Sequence, residues 1–280
     1  MRILLTTLSA ISILLFSCEK ERDAANRVNR GTNPTGTRLV KMVTKHGTDS
    51  TTRIYSYNSA GQLVDMTTTG TDQGDVVFNQ ETMVRNSKGI IQTIIFKDEQ
   101  LIQGGVDSFL INVHYDESLS RYTSRVAIID YGFEIWRDSV IFSYDANGKM
   151  VTASNFTDNG SGTYQTGGKI EYTYAGNNMA TAKVSSYNAG TYAEDFTLTN
   201  EYDTNTSPLI LGVEAILIDY QGVGAYYSSN NCTKQTATYP SDPSDTNTIT
   251  YTYNSSNLPG TSASQVNPGN DMYSSTYFYQ

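Results

Sequence analysis

Hydrophobic and polar positions alternate along this chain in short runs. Val140, Phe142 and Tyr144 fall on one face with Ile141 and Ser143 on the other, and Ile249, Tyr251 and Tyr253 oppose Thr250 and Thr252. A period of two marks a strand with one buried face. Each run then meets a turn signal. Asn58, Asp145 and Asn254 bring side chains that hydrogen-bond the backbone two residues on, while Gly61 and Gly148 supply the positive φ of a hairpin loop. Leu63 and Met150 open the return strands.

The unit recurs as "IYSYNSAGQL" (54–63), "MVRNSKGII" (83–91), "NVHYDESLS" (112–120), "IFSYDANGKM" (141–150), "EYTYAGNNMA" (171–180), "LTNEYDTNT" (198–206) and "TYTYNSSNL" (250–258). The equivalent positions are Tyr57, Arg85, Tyr115, Tyr144, Tyr174, Tyr202 and Tyr253, at intervals of 28, 30, 29, 30, 28 and 51. A period of this length holds two strands and two turns, so the chain is predicted to be a succession of antiparallel hairpins. Seven units with flanking strands imply about 14 strands, and a twisted open sheet of more than ~10 strands curls, splits or closes. The expected fold is all-β, one domain over 38–280, an antiparallel meander curling into a barrel or half-barrel with its Tyr/Ile face inward. A membrane-spanning barrel is disfavoured, because the second face is Thr, Ser, Glu and Lys rather than an apolar band.

Two units depart from the pattern. The second has Arg85 where tyrosine stands elsewhere, and the third has Ser118-Leu119 in place of the glycine. The interval of 51 hides an insertion, "SPLILGVEAILIDYQGVG" (207–224). Ser207 and Pro208 have the form of an N-cap and first helical position, which predicts a short helix that packs against or plugs the sheet. A buried strand is the competing reading.

The N-terminus reads differently. Met1-Arg2 is a short positive region, Ile3 to Phe16 is apolar, and "LFSC" follows, too short to span a bilayer. Leu15-Phe16-Ser17-Cys18 resembles the lipobox of bacterial lipoproteins, which implies a signal peptide over 1–17 and lipidation of Cys18. Several buried alkyl tails, at about 0.8 kcal/mol per CH₂, make a stable anchor. Residues 18–37 mix both charges with Gly and Pro and read as a flexible tether, spanning roughly 25 Å. Glu19-Lys20-Glu21 resembles the surface-export signal of Bacteroidetes lipoproteins.

The Tyr-x-Tyr-Asp/Asn-x-x-Gly-x-Leu/Met units resemble the tyrosine–aspartate repeats of Rhs-type proteins. With the lipobox and the closing "YFYQ", the chain resembles Bacteroidetes lipoprotein families of unknown function with a porin-like β-barrel fold. The resemblance implies a fold and an outer-membrane, lipid-anchored address, and it carries no activity.

Composition changes this picture mainly by exclusion. The net charge of −9 comes without any basic stripe and argues against nucleic acid. Cys232 is the only cysteine besides Cys18, so no intrachain disulfide is expected once Cys18 is lipidated, and Cys232 reads as a small buried hydrophobe. His46 and His114 are the only histidines and lie without Cys or His at ligand spacing, so no metal and no cofactor is expected. "DANG" (145–148) reads as a hairpin turn, because the twelfth position of a calcium loop would be Phe156. No Gly-x-Ser-x-Gly elbow exposes a serine, and catalytic residues are expected to be none. Paired carboxylates keep a surface glycoside hydrolase as the alternative. Trp136 and the tyrosines could stack on sugars, although most of the tyrosines sit on the inner face and read as core with the hydroxyl bonded. The function expected is a monomeric, non-enzymatic envelope module whose partner is a glycan, a lipid or a protein, with a purely structural spacer as a further alternative.

Overall fold

The computed structural model describes residues 37–280 except 133–134, 159, 210, 212–213 and 219–227. The signal peptide, Cys18 and all of the tether before residue 37 lie outside the described residues.

Sixteen strands follow one another: β1 (Leu39–His46), β2 (Asp49–Tyr57), β3 (Leu63–Asp72), β4 (Asp75–Arg85), β5 (Ile91–Asp98), β6 (Phe109–Asp116), β7 (Arg121–Asp130) and β8 (Ile135–Tyr144), then β9 (Met150–Asp158), β10 (Gln165–Ala175), β11 (Asn178–Asn188), β12 (Thr191–Thr206), β13 (Asn230–Thr238), β14 (Asp245–Tyr253), β15 (Pro259–Asn267) and β16 (Asp271–Tyr279). Two short helices interrupt them, α1 (Glu99–Gln103) and α2 (Ala215–Ile218). Every strand pairs antiparallel with its sequence neighbours, and β16 returns to β1 to close the barrel. The closing pairs include Leu39 with Tyr279 and Met42 with Tyr277, and Arg38 and Gln280 exchange backbone hydrogen bonds of 2.9 and 3.0 Å beside them. The meander expectation holds, and closure resolves the choice between barrel and half-barrel. Two strands were missed because the count rested on the seven units, and the closing strand, ending in Tyr279, was not counted as an eighth.

The hairpin turns form as their residues dictate. Asn58 Oδ1 accepts from the Ala60 amide at 3.0 Å, Asp145 Oδ1 from Asn147 at 2.8 Å and Asn254 Oδ1 from Ser256 at 2.9 Å. Gly61 and Gly148 both stand at φ 81. These turns share one end of the barrel with the two chain ends, here called the near end.

A register shift immediately precedes all seven equivalent positions, Tyr57, Arg85, Tyr115, Tyr144, Tyr174, Tyr202 and Tyr253. Each shift skips one residue of the return strand, for example Val64 opposite Ser56 and Tyr57 and Val151 opposite Ser143 and Tyr144, so the repeat position keeps the inward face that alternation gives it. The hydroxyl then reaches the first carbonyls of the preceding strand. Tyr57 donates to Leu39 O at 2.8 Å, Tyr144 to Tyr122 O at 2.6 Å, Tyr174 to Met150 O at 2.9 Å and Tyr202 to Met179 O at 2.8 Å. Tyr251 and Tyr279 do the same to Cys232 O and Pro259 O. One side chain thereby ties its own strand to the preceding one, which is what the recurring unit builds.

The core lies against this girdle. Leu63, Ile91, Ile94, Tyr122, Val140, Phe142, Met150, Tyr172 and Met179 are buried in a single cluster that also holds Leu209, Leu211, Ala215 and Leu217 of the insertion. Cys232 is a buried free cysteine in β13, as its sequence context suggested.

Candidate functional site

The two ends of the barrel differ in what they contain. At the near end the core includes Leu209, Leu211, Ala215 and Leu217, described residues of the segment between β12 and β13. Its neck is closed by polar bonds. The Ser207 amide donates to Ser229 O at 3.2 Å, and Asn178 Oδ1 accepts from the Ser229 amide at 2.8 Å. Asn231 Nδ2 donates to both oxygens of Asp203, which also accepts a hydrogen bond from the Tyr253 hydroxyl. Ser207 was expected to cap a helix starting at Pro208. Its hydroxyl instead bonds Leu209, its amide belongs to the neck, and the helix starts only at Ala215.

Past the neck, Leu209, Leu211 and Leu217 enter the core and Glu214 meets Arg85. Arg85 Nη1 and Nη2 donate to the two carboxylate oxygens of Glu214, each at 2.6 Å. The same guanidinium donates to Leu63 O and Gly89 O, so it satisfies the carbonyl that a repeat tyrosine would otherwise take. Tyr122 adds a bond to Glu214 Oε1 at 3.1 Å, and Arg125 donates to Leu217 O at 2.7 Å. Both members of the pair are buried. Desolvation pushes the Glu214 carboxyl up, against the pull of Arg85 and Tyr122, and pushes the Tyr122 phenol up so that it stays a donor.

Sequence reasoning missed this pair, although two signals pointed to it. Arg85 breaks the repeat at an inward position, and Glu214 is the only acid in the apolar run 209–218. An inward arginine in a closed barrel needs a carboxylate, because an unpaired buried charge costs several kcal/mol.

Towards the other, far end the inner wall turns polar. Thr44 bonds Ser275 at 2.9 Å and Arg53 bonds Thr68 at 2.8 Å. Both amide atoms of Asn247 and the hydroxyl of Ser264 are buried there without a hydrogen-bond partner. Aspartates mark the strand ends, at Asp72, Asp98, Asp130, Asp158, Asp245 and Asp271. Several of them tie loops: Asp98 accepts from Leu101, Asp130 from Gly132 and Asp158 from Gly162. His46 bonds Asp72 at 2.9 Å and stacks on Tyr273 with centroids 4.3 Å apart. His114 lies on β6, so the two histidines do not meet. Among the described residues no group of three or more His, Cys, Asp or Glu is arranged to hold a metal ion.

The tyrosines that bond the strand-start carbonyls therefore gather at the near end. Exposed aromatic side chains gather elsewhere, on the far-end hairpins that carry Tyr131, Trp136, Tyr164, Tyr187 and Tyr192.

No family model matches the chain, and no curated protein matches it. Solved structures do resemble it. A porin-like protein from Bacteroides uniformis ATCC 8492 superposes with a TM-score of 0.54 at 14% identity, covering 86% of this chain and 96% of that one. A porin-like protein from Bacteroides vulgatus ATCC 8482 gives 0.52 at 9% identity, with 87% and 99% covered. At such identities the likeness is one of fold: this chain is similar to porin-like β-barrels.

Proposed function

We propose that the chain is a non-enzymatic, lipid-anchored envelope protein of the outer membrane that presents the far end of its barrel to a glycan, lipid or protein partner. One relationship carries the reading. Leu39 and Tyr279 pair at the end that the insertion fills, so the tether from Cys18 runs to the plugged end and the far-end hairpins point away from the lipid. The polar inner wall at the far end and the porin-like naming of the similar structures support the same arrangement. The outer face adds a negative argument, since runs such as Thr246, Thr248, Thr250 and Thr252 on β14 suit water and not acyl chains.

The test has two arms. Palmitate labelling of the expressed full chain should disappear in Cys18→Ala; labelling that persists removes the anchor. Thermal unfolding of the full chain in detergent, with soluble polysaccharides, phospholipid micelles and peptides added in turn, should show a rise in Tm with one class, because a ligand that binds only the folded state stabilises it. A flat result across all three classes replaces the binding module with a structural spacer.

A further inference from the structure

Three neighbouring hairpin tips meet at His46 on the far end of the barrel. They are its own, between β1 and β2, the β3–β4 tip with Asp72, and the β15–β16 tip with Asp271. His46 Nδ1 lies 2.9 Å from Asp72 Oδ1, and Nε2 lies 3.8 Å from Asp271 Oδ1. The ring stacks on Tyr273, so it is fixed between the two carboxylates.

Side chains take over here from the backbone. The β2–β3 ladder stops at Thr51 and Gly70, and the β1–β16 ladder stops at His46 and Tyr273. Past those pairs Asp49 accepts from the Thr71 hydroxyl and from the Gly74 amide, each at 2.8 Å, which holds the β3–β4 tip against the β1–β2 hairpin. His46 adds its bond to Asp72. Towards β15–β16 it offers only the longer contact to Asp271.

The two contacts respond differently to a proton. A neutral imidazole has one N–H, and when Nδ1 donates it to Asp72, Nε2 turns a lone pair towards the Asp271 carboxylate. Two acceptors make no bond. Protonation puts a hydrogen on Nε2 and a positive charge on the ring, and a closure of about 1 Å then gives a charge-assisted hydrogen bond. The groups that face His46 are Asp271 and Tyr273 from β16, Asp49 from β2 and Asp72 from β3, with Asp75 opposite Asp72 on β4. Lys45 is exposed on the other face of β1. Bonds from Thr71 and Gly74 hold the Asp49 carboxyl below its ordinary value, and burial with the two neighbouring acids pushes the Tyr273 phenol up. Both therefore keep their charge state while an imidazole changes its own.

We propose that His46 is a proton-operated clasp. Protonated, it joins the β15–β16 tip to the β1–β2 and β3–β4 tips; neutral, it keeps Asp72 and releases Asp271. The tie is made in acid and lost as pH rises through the range in which histidine changes charge, between about pH 5 and pH 8. One side of the far end is thereby stiffened by acid, whichever partner that end meets.

Hydrogen exchange of the full chain in detergent, read by mass spectrometry and corrected for intrinsic rates, tests the clasp on the segment 267–273. Its protection in the wild type should be about fivefold or more greater at about pH 5.5 than at about pH 8. His46→Gln keeps one donor but takes up no proton, and should abolish the difference at unchanged Tm. Asp271→Ala should abolish it in 267–273 while the segment 70–76 exchanges as in wild type. Equal protection of the wild type at the two pH values, or a difference that survives in His46→Gln, overturns the clasp.

Discussion

The guanidinium of Arg85 closes on the carboxylate of Glu214 through two hydrogen bonds of 2.6 Å, joining residues that lie 129 positions apart. Arg85 occupies a repeat position, and Glu214 belongs to the segment that interrupts the repeat. The one unit that exchanges tyrosine for arginine is thus the one that receives the plug. It keeps the repeat's service, since Arg85 still satisfies Leu63 O, and adds a seat for a buried acid.

The tyrosine girdle should behave as core. Tyr57→Ala is expected to destabilise by about 3 kcal/mol, at the low end for aromatic truncation because the ring is only partly buried. Tyr57→Phe should cost about 1 kcal/mol through the lost bond to Leu39 O. Denaturant unfolding measures both. Equal stability of Tyr57→Ala and wild type would show that the repeat serves something other than the fold.

Alkaline pH should destabilise the barrel as its buried phenols are forced to ionise. Burial raises the phenols of Tyr55, Tyr57, Tyr122, Tyr277 and Tyr279 in the folded state, and raises Tyr253 to about 12. A raised folded value means that the folded state holds the proton more tightly, so this stability is complete below about pH 10 and is lost as pH rises through the folded values. Absorbance at 295 nm should show exposed tyrosines titrating first and the girdle titrating together with loss of circular dichroism.

Asn247 should be replaceable at a gain. Its amide is buried with no hydrogen-bond partner beside Ile249 and between Gln235 and Val266 in register, so its polar atoms cost desolvation without return. Asn247→Leu is expected to raise stability by about 1–2 kcal/mol. A loss of the same size would show that the amide is bonded in solution.

Much of the fold was legible because alternation and turn chemistry are local. Tyr57, Asn58 and Gly61 sit within five positions and together specify a strand end, a turn and a register shift. Closure was less legible, since the partners Leu39 and Tyr279 lie at opposite ends of the chain and nothing near either announces the other. Ser207-Pro208 misled for a physical reason: the serine's amide serves the neck of the insertion and its hydroxyl is held by Leu209, so the helix begins only at Ala215. The rim aromatics were hidden by the rule that found the core. Trp136 shares the inward register of Val140 and Phe142, and only its place at the strand's beginning lifts it out of the barrel.

The central claim is that the near end is a built closure, with Arg85 as the receptor of the plug. A double-mutant cycle tests it most directly, by denaturant unfolding of Arg85→Tyr, Glu214→Leu and the two combined. Each single variant leaves a buried charge unpaired and should destabilise by about 3–5 kcal/mol. The combined variant restores the repeat and an apolar plug, and should lie within about 1 kcal/mol of wild type, so the two single effects are strongly non-additive. Single effects below about 1 kcal/mol that simply add would contradict the claim.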